Sequence, residues 1–190
     1  MTILAVAVVM ALLYTKLLAL NFTRKIEDIS MLCVANNLYM VGASTNLVDP
    51  KKVKCLRSQY ITTHKRGCRR FVDFYKNFAT EEYPWWSHLK YTISIYTWMK
   101  SGLHYFMINY AGAVLPVGIP TDYTVFYANE FCLITGNYSK NGERTICSYW
   151  VKAKNVEDRN KTCDSIFLQY CDRPQFILNS TTSGECRWPY

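Results

Sequence analysis

The chain is poor in the residues that metal and acid–base chemistry depend on. It has only three histidines, His64, His88 and His104, each isolated from the others. No Cys-x-x-Cys pair occurs, so the spacing of a zinc site is missing. Gly-x-Ser-x-Gly, His-Glu-x-x-His and a glycine-rich phosphate loop are all absent. These absences argue against an enzyme, a bound metal or any other cofactor. Acidic residues number 14 against 22 basic ones, a net charge of +8, yet no nucleic-acid-binding motif accompanies the excess. Glycine (8) and proline (6) are modest while tyrosine (15) is frequent, which suits strands better than disordered segments.

Long apolar runs are scarce too. Residues 3–14, ILAVAVVMALLY, form one run too short to span a bilayer. It reads as a secretory signal peptide, 1–19, cleaved near Ala19 and leaving one domain over 20–190. No other run could cross a membrane, so no membrane partner is expected. Eight cysteines behind a signal peptide imply four disulfides. Asn21, Asn137, Asn160 and Asn179 each begin a glycosylation sequon, reinforcing a secreted, extracellular protein.

The most informative stretch runs from Cys132 to Cys171. Two strand-like runs flank Asn141-Gly142, whose residues accept the positive φ of a type I′ turn. With that turn, Gly136 lies opposite Cys147, Ile134 opposite Tyr149, Leu133 opposite Trp150 and Cys132 opposite Val151. Side chains alternate. Cys132, Ile134, Cys147, Tyr149 and Val151 therefore share one face, and Leu133, Thr135, Ser148 and Trp150 the other. Downstream, Cys163, Ile166, Phe167, Tyr170 and Cys171 fall at helical spacing. Cys163 and Cys171 would stand roughly 12 Å apart along a helix. Cys132 and Cys147 would stand roughly 13 Å apart along the strands. The match predicts a helix laid on the hairpin and stapled at both ends, Cys132–Cys163 and Cys147–Cys171. The opposite face then points at a second sheet or a cavity.

The rest of the chain reads as a short helix over 24–34 followed by six further strands. They cover about 38–45, 53–63, 68–78, 88–100, 103–112 and 121–130. Turn signals separate most of them, among them Asp49-Pro50, Arg66-Gly67 and Ser101-Gly102. Eight sequential antiparallel strands with apolar residues on both faces suggest a closed up-and-down barrel, a fold able to hold one small ligand.

Here the residues resemble a known family. Cys132-Leu-Ile, a hairpin, Cys147-Ser-Tyr-Trp, Cys163 and Cys171 in a helix, and a late Cys186 are similar to the tick salivary lipocalins, the histamine-binding-protein-like group. The resemblance implies an all-β fold, an eight-stranded antiparallel lipocalin barrel with a short N-terminal helix and a C-terminal helix packed outside. It also implies Cys55–Cys186, and leaves Cys33 to pair with Cys68. Members that bind biogenic amines tend to carry an acid directly after the first cysteine of the frame and a Glu two residues before the aromatic of the second strand. Leu133 and Ser148 occupy those positions. A buried ammonium needs a carboxylate to offset lost hydration. Asp73, Asp122 and Glu130 are the acids that remain as candidates.

The expected function is that of a monomeric carrier that sequesters a small hydrophobic host mediator in the barrel, a leukotriene or fatty acid first. Phe74, Tyr91, Tyr105, Tyr123, Tyr127, Leu133, Ser148 and Trp150 would line the lumen. Arg57 would supply a cation, with Arg69, Arg70 and Lys90 nearby. Binding of histamine or serotonin is the alternative reading. Another is inhibition of a host protein, such as a complement component, through the outer surface. The basic runs 51–54 and 65–70 would carry that surface, although a solvated charged loop is the simpler account of them.

Overall fold

The computed structural model describes residues 29–78, 85–110, 122–136, 144–178 and 186. The leader, the Asn141-Gly142 turn and the sequons at Asn21, Asn137 and Asn179 lie outside the described residues.

Eight antiparallel strands follow in order: β1 (Leu38–Ser44), β2 (Val53–His64), β3 (Gly67–Asn77), β4 (Trp86–Lys100), β5 (Leu103–Tyr110), β6 (Asp122–Ala128), β7 (Cys132–Gly136) and β8 (Cys147–Lys152). Each pairs with the next. β1 pairs with β8 on one side and with β2, through Leu38 and Tyr39, on the other, which closes the barrel. A 3₁₀ helix, Ile29–Cys33, stands where the sequence suggests the end of an N-terminal helix.

A ninth strand, β9 (Pro174–Phe176), was not foreseen from the sequence. It pairs with β1 over Gly42 to Ser44, beyond the short β1–β2 contact. Three residues cannot display a period of two, so the sequence gives no warning of it.

The hairpin register is the one expected, from Cys132 opposite Val151 to Gly136 opposite Cys147. Helix α1 (Lys161–Tyr170) lies on its outer face. Asn160 caps the helix, its side-chain oxygen accepting from the backbone N–H groups of Thr162 and Cys163. Cys163, Ile166 and Phe167 are buried beneath α1. Complete burial of a side chain such as Ile or Phe stabilises by about 2–3 kcal/mol. The Phe167 ring sits 5.3 Å from Tyr149 and 5.5 Å from Phe176. Disulfides join Cys132–Cys163 and Cys147–Cys171 across this layer. Cys33–Cys68 ties the 3₁₀ helix to β3, and Cys55–Cys186 ties β2 to the C-terminal tail.

The buried residues form two clusters, one inside the barrel and one between the barrel wall and α1. Leu133 belongs to the first and Tyr149 to the second. Neighbouring strand positions thus serve different cores.

Candidate functional site

The inside of the barrel holds a mainly apolar cavity. Leu38 and Met40 of β1, Ile93 and Ile95 of β4 and Phe106 of β5 form much of its wall. Leu47 and Val48, from the β1–β2 loop, also face it. Their backbone N–H groups donate to the Ser44 carbonyl, which folds the loop inward. Leu32 of the 3₁₀ helix lines it as well.

The polar wall is small and specific. Ser58 and Arg70 contribute from β2 and β3, and Thr135, Ser148 and Trp150 from β7 and β8. Arg70 is buried, 1% exposed. Its Nε donates to Ser58 Oγ at 2.8 Å. Nη1 donates to the carbonyls of Leu32 and Val34, and Nη2 to those of Asn36 and Ser58. All five N–H groups are used, and every one of these acceptors is neutral. The guanidinium therefore pins the segment 32–36 to β3 while keeping an unneutralised charge at the cavity wall. Burial lowers its pKa to about 10, an effect that Tyr60 opposes, so it stays cationic at neutral pH.

The residues expected to line the lumen separate into three groups. Tyr123, Leu133, Ser148 and Trp150 lie on the cavity wall. Tyr123 stacks on Phe106 at 5.0 Å. Burial pushes its phenol pKa up. Phe74 and Tyr91 belong to the inner cluster but stack on each other at 5.9 Å and fill the barrel instead of walling the cavity.

Tyr105, Tyr127 and Arg57 face away from it. Tyr105 is opposite Trp98 on the outer wall and stacks on it at 5.8 Å, while its neighbours Phe106 and Ile108 turn inward. Two adjacent aromatics left the phase of β5 open, and pairing of Ile108 with the inward Ile95 fixes it. Tyr127 is displaced by an irregularity between Val125 and Tyr127, where one extra residue reverses the alternation. It packs in the outer cluster beneath α1 instead. Arg57 alternates with the lumen residues Leu56 and Ser58, and so projects from the outer wall. There it pairs with Asp73. Among the described residues, Arg70 and not Arg57 is the cation on the cavity wall.

None of the remaining candidate acids lies on the cavity wall. Asp73 is bound to Arg57, while Asp122 and Glu130 are exposed. The basic run at 65–70 is divided as well, since Arg69 is exposed and Arg70 buried. Among the described residues, no cluster of His, Cys, Asp or Glu could hold a metal ion. No described helix is long and apolar enough to cross a membrane.

A family model described as tick histamine binding protein matches residues 24–183. The chain belongs to that family, the tick salivary lipocalins. Among solved structures, Japanin from Rhipicephalus appendiculatus, bound to cholesterol, superposes with a TM-score of 0.63 at 20% identity, over 76% of this chain and 93% of that one. At that identity the likeness establishes the lipocalin barrel. No curated protein matches the chain. Leu133 and Ser148, which stand where the family's amine binders tend to carry acids, both line the cavity.

Proposed function

We propose that this salivary lipocalin is a secreted carrier that sequesters a small hydrophobic host mediator, a leukotriene or fatty acid first, and so dampens inflammation or haemostasis. One observation carries the reading. Among the described residues the cavity wall is mainly apolar, contains no carboxylate and includes one cation, Arg70, that has no anionic partner among its hydrogen-bonded groups. An apolar chain gains by leaving water, and a carboxylate gains further beside an unneutralised buried charge. An ammonium would meet a like charge and no acid. The cholesterol held by Japanin shows a relative's structure with a bulky apolar guest. Four disulfides suit the oxidising surroundings of a secreted protein.

The test is a binding panel on the purified protein: oleate, oleyl alcohol, a leukotriene, histamine and serotonin. Oleate should bind about tenfold more tightly than oleyl alcohol, through Coulomb attraction to a guanidinium whose N–H groups are all already in use. Arg70→Met should abolish that preference and Arg70→Lys keep part of it, with Cys33–Cys68 holding the 3₁₀ helix in place. Tighter binding of histamine or serotonin than of either acid would overturn the reading.

A further inference from the structure

Three side chains on β7 and β8 form a hydrogen-bonded group on the cavity wall. Trp150 Nε1 donates to Ser148 Oγ at 2.8 Å. Ser148 Oγ and Thr135 Oγ1 lie 2.7 Å apart, and either can be the donor. Thr135 is 1% exposed and Ser148 3%, so bulk water does not complete the group.

The protons can be counted. The indole has one polar hydrogen and each hydroxyl has one. Two bonds consume two of the three. Whichever way the Thr135–Ser148 bond runs, one hydroxyl hydrogen is left without an acceptor among the described residues. The group faces the cavity, so the cavity is where that hydrogen finds one. A buried donor left unpaired is costly, and a guest that supplies an oxygen removes the cost. The rest of the wall is largely hydrocarbon, apart from Ser58 and Arg70 on the strands β2 and β3 and the phenol of Tyr123 on β6.

We propose that Thr135, Ser148 and Trp150 recognise one oxygen atom on the guest, a hydroxyl, keto or ether oxygen, distinct from the carboxylate that Arg70 attracts. The preferred class is then an oxygenated long-chain acid over its plain counterpart. This rests on the carrier reading above and refines it. The trio is a specificity determinant and not the source of the main affinity, which the apolar wall supplies.

The experiment compares stearate with a series of monohydroxystearates whose hydroxyl is moved along the chain, titrated into the intact, disulfide-bonded protein. At least one isomer should bind about three- to tenfold more tightly than stearate, the effect of one buried neutral hydrogen bond. In the Thr135→Val/Ser148→Ala/Trp150→Phe variant, which removes all three donors and leaves a smaller ring on the wall, stearate should still bind and the preference should vanish. Thr135→Val alone leaves the Ser148 hydroxyl as the spare donor, so the preference should persist there; if the triple variant does not fold, the comparison of stearate with the isomers on the unaltered protein carries the test. Equal binding of stearate and every isomer by the unaltered protein overturns the inference and leaves the carrier reading standing, as does a preference that survives in the triple variant. If neither stearate nor any isomer binds, the carrier reading falls and this refinement falls with it.

Discussion

Arg57 and Asp73 form a bidentate ion pair on the outer wall of the barrel, Nε to Oδ1 at 3.0 Å and Nη2 to Oδ2 at 3.2 Å. The two residues are opposite each other on β2 and β3. Asp73 is fully buried, and His88 Nε2 lies 3.9 Å from it. One position away on each strand, Ser58 and Val72 face the cavity. The pair is thus next to the cavity-lining residues in sequence but separated from the cavity by the barrel wall.

Removing one partner should therefore cost stability and not affinity. Arg57→Met leaves a buried carboxylate without its guanidinium and should lower unfolding free energy by about 3–5 kcal/mol. Oleate affinity should change less than about twofold, within the scatter expected for a change outside the cavity. The Arg57→Met/Asp73→Leu double variant should recover most of the stability, because no unpaired charge remains. Denaturant unfolding with disulfides intact, alongside ligand titration, checks both halves. A tenfold loss of oleate affinity in Arg57→Met would return Arg57 to the binding site.

A second expectation concerns how closely α1 approaches β1. A Cβ at Gly42 would lie 2.8 Å from two carbons of the Phe167 ring. That ring is held between Tyr149 and Phe176 and has little room to yield. Gly42→Ala should destabilise by about 1–3 kcal/mol, the usual cost of overpacking. Phe167→Leu in the same chain should recover part of the loss, giving a favourable coupling in a double-mutant cycle. Strictly additive effects would mean that the helix shifts freely and the contact is not a constraint.

The third expectation addresses the two positions at which this chain departs from amine-binding members of its family. Leu133→Asp with Ser148→Glu places two carboxylates on the cavity wall. Histamine binding, measured calorimetrically, should appear or strengthen at least about tenfold, since an ammonium gains the partner that burial demands. The same variant should melt lower than the parent, because two acids are buried when no amine is present. Unchanged histamine binding in a folded variant would show that these positions do not govern amine selectivity here.

The stretch from Cys132 to Cys171 was legible from the residues alone. A period of two fixes which side chains share a strand face. Matching cysteine spacings fix how a helix lies along a hairpin. Both are local rules, and they gave the register, the stapled helix and the inward Leu133, Ser148 and Trp150. Farther from that anchor the same alternation was ambiguous. In β5, Tyr105 and Phe106 are adjacent rings, and only the pairing of Ile108 with Ile95 tells which turns inward. In β6, the irregularity after Val125 moves Tyr127 to the outer wall, and nothing in TDYTVFYA announces it.

The sequence by itself determined the disulfide-rich class, the order of the eight barrel strands and the two faces of the stapled hairpin, because each follows from composition or from spacing along the chain. Tertiary structure alone decided which arginine faces the cavity. Arg57 and Arg70 are both basic residues in strand-like runs, and only barrel closure assigns one to the outer wall beside Asp73 and the other to the lumen among backbone carbonyls. It also decided that Thr135, Ser148 and Trp150 share their hydrogens with one to spare, since hydrogen bonding between side chains depends on distances that a linear pattern does not contain.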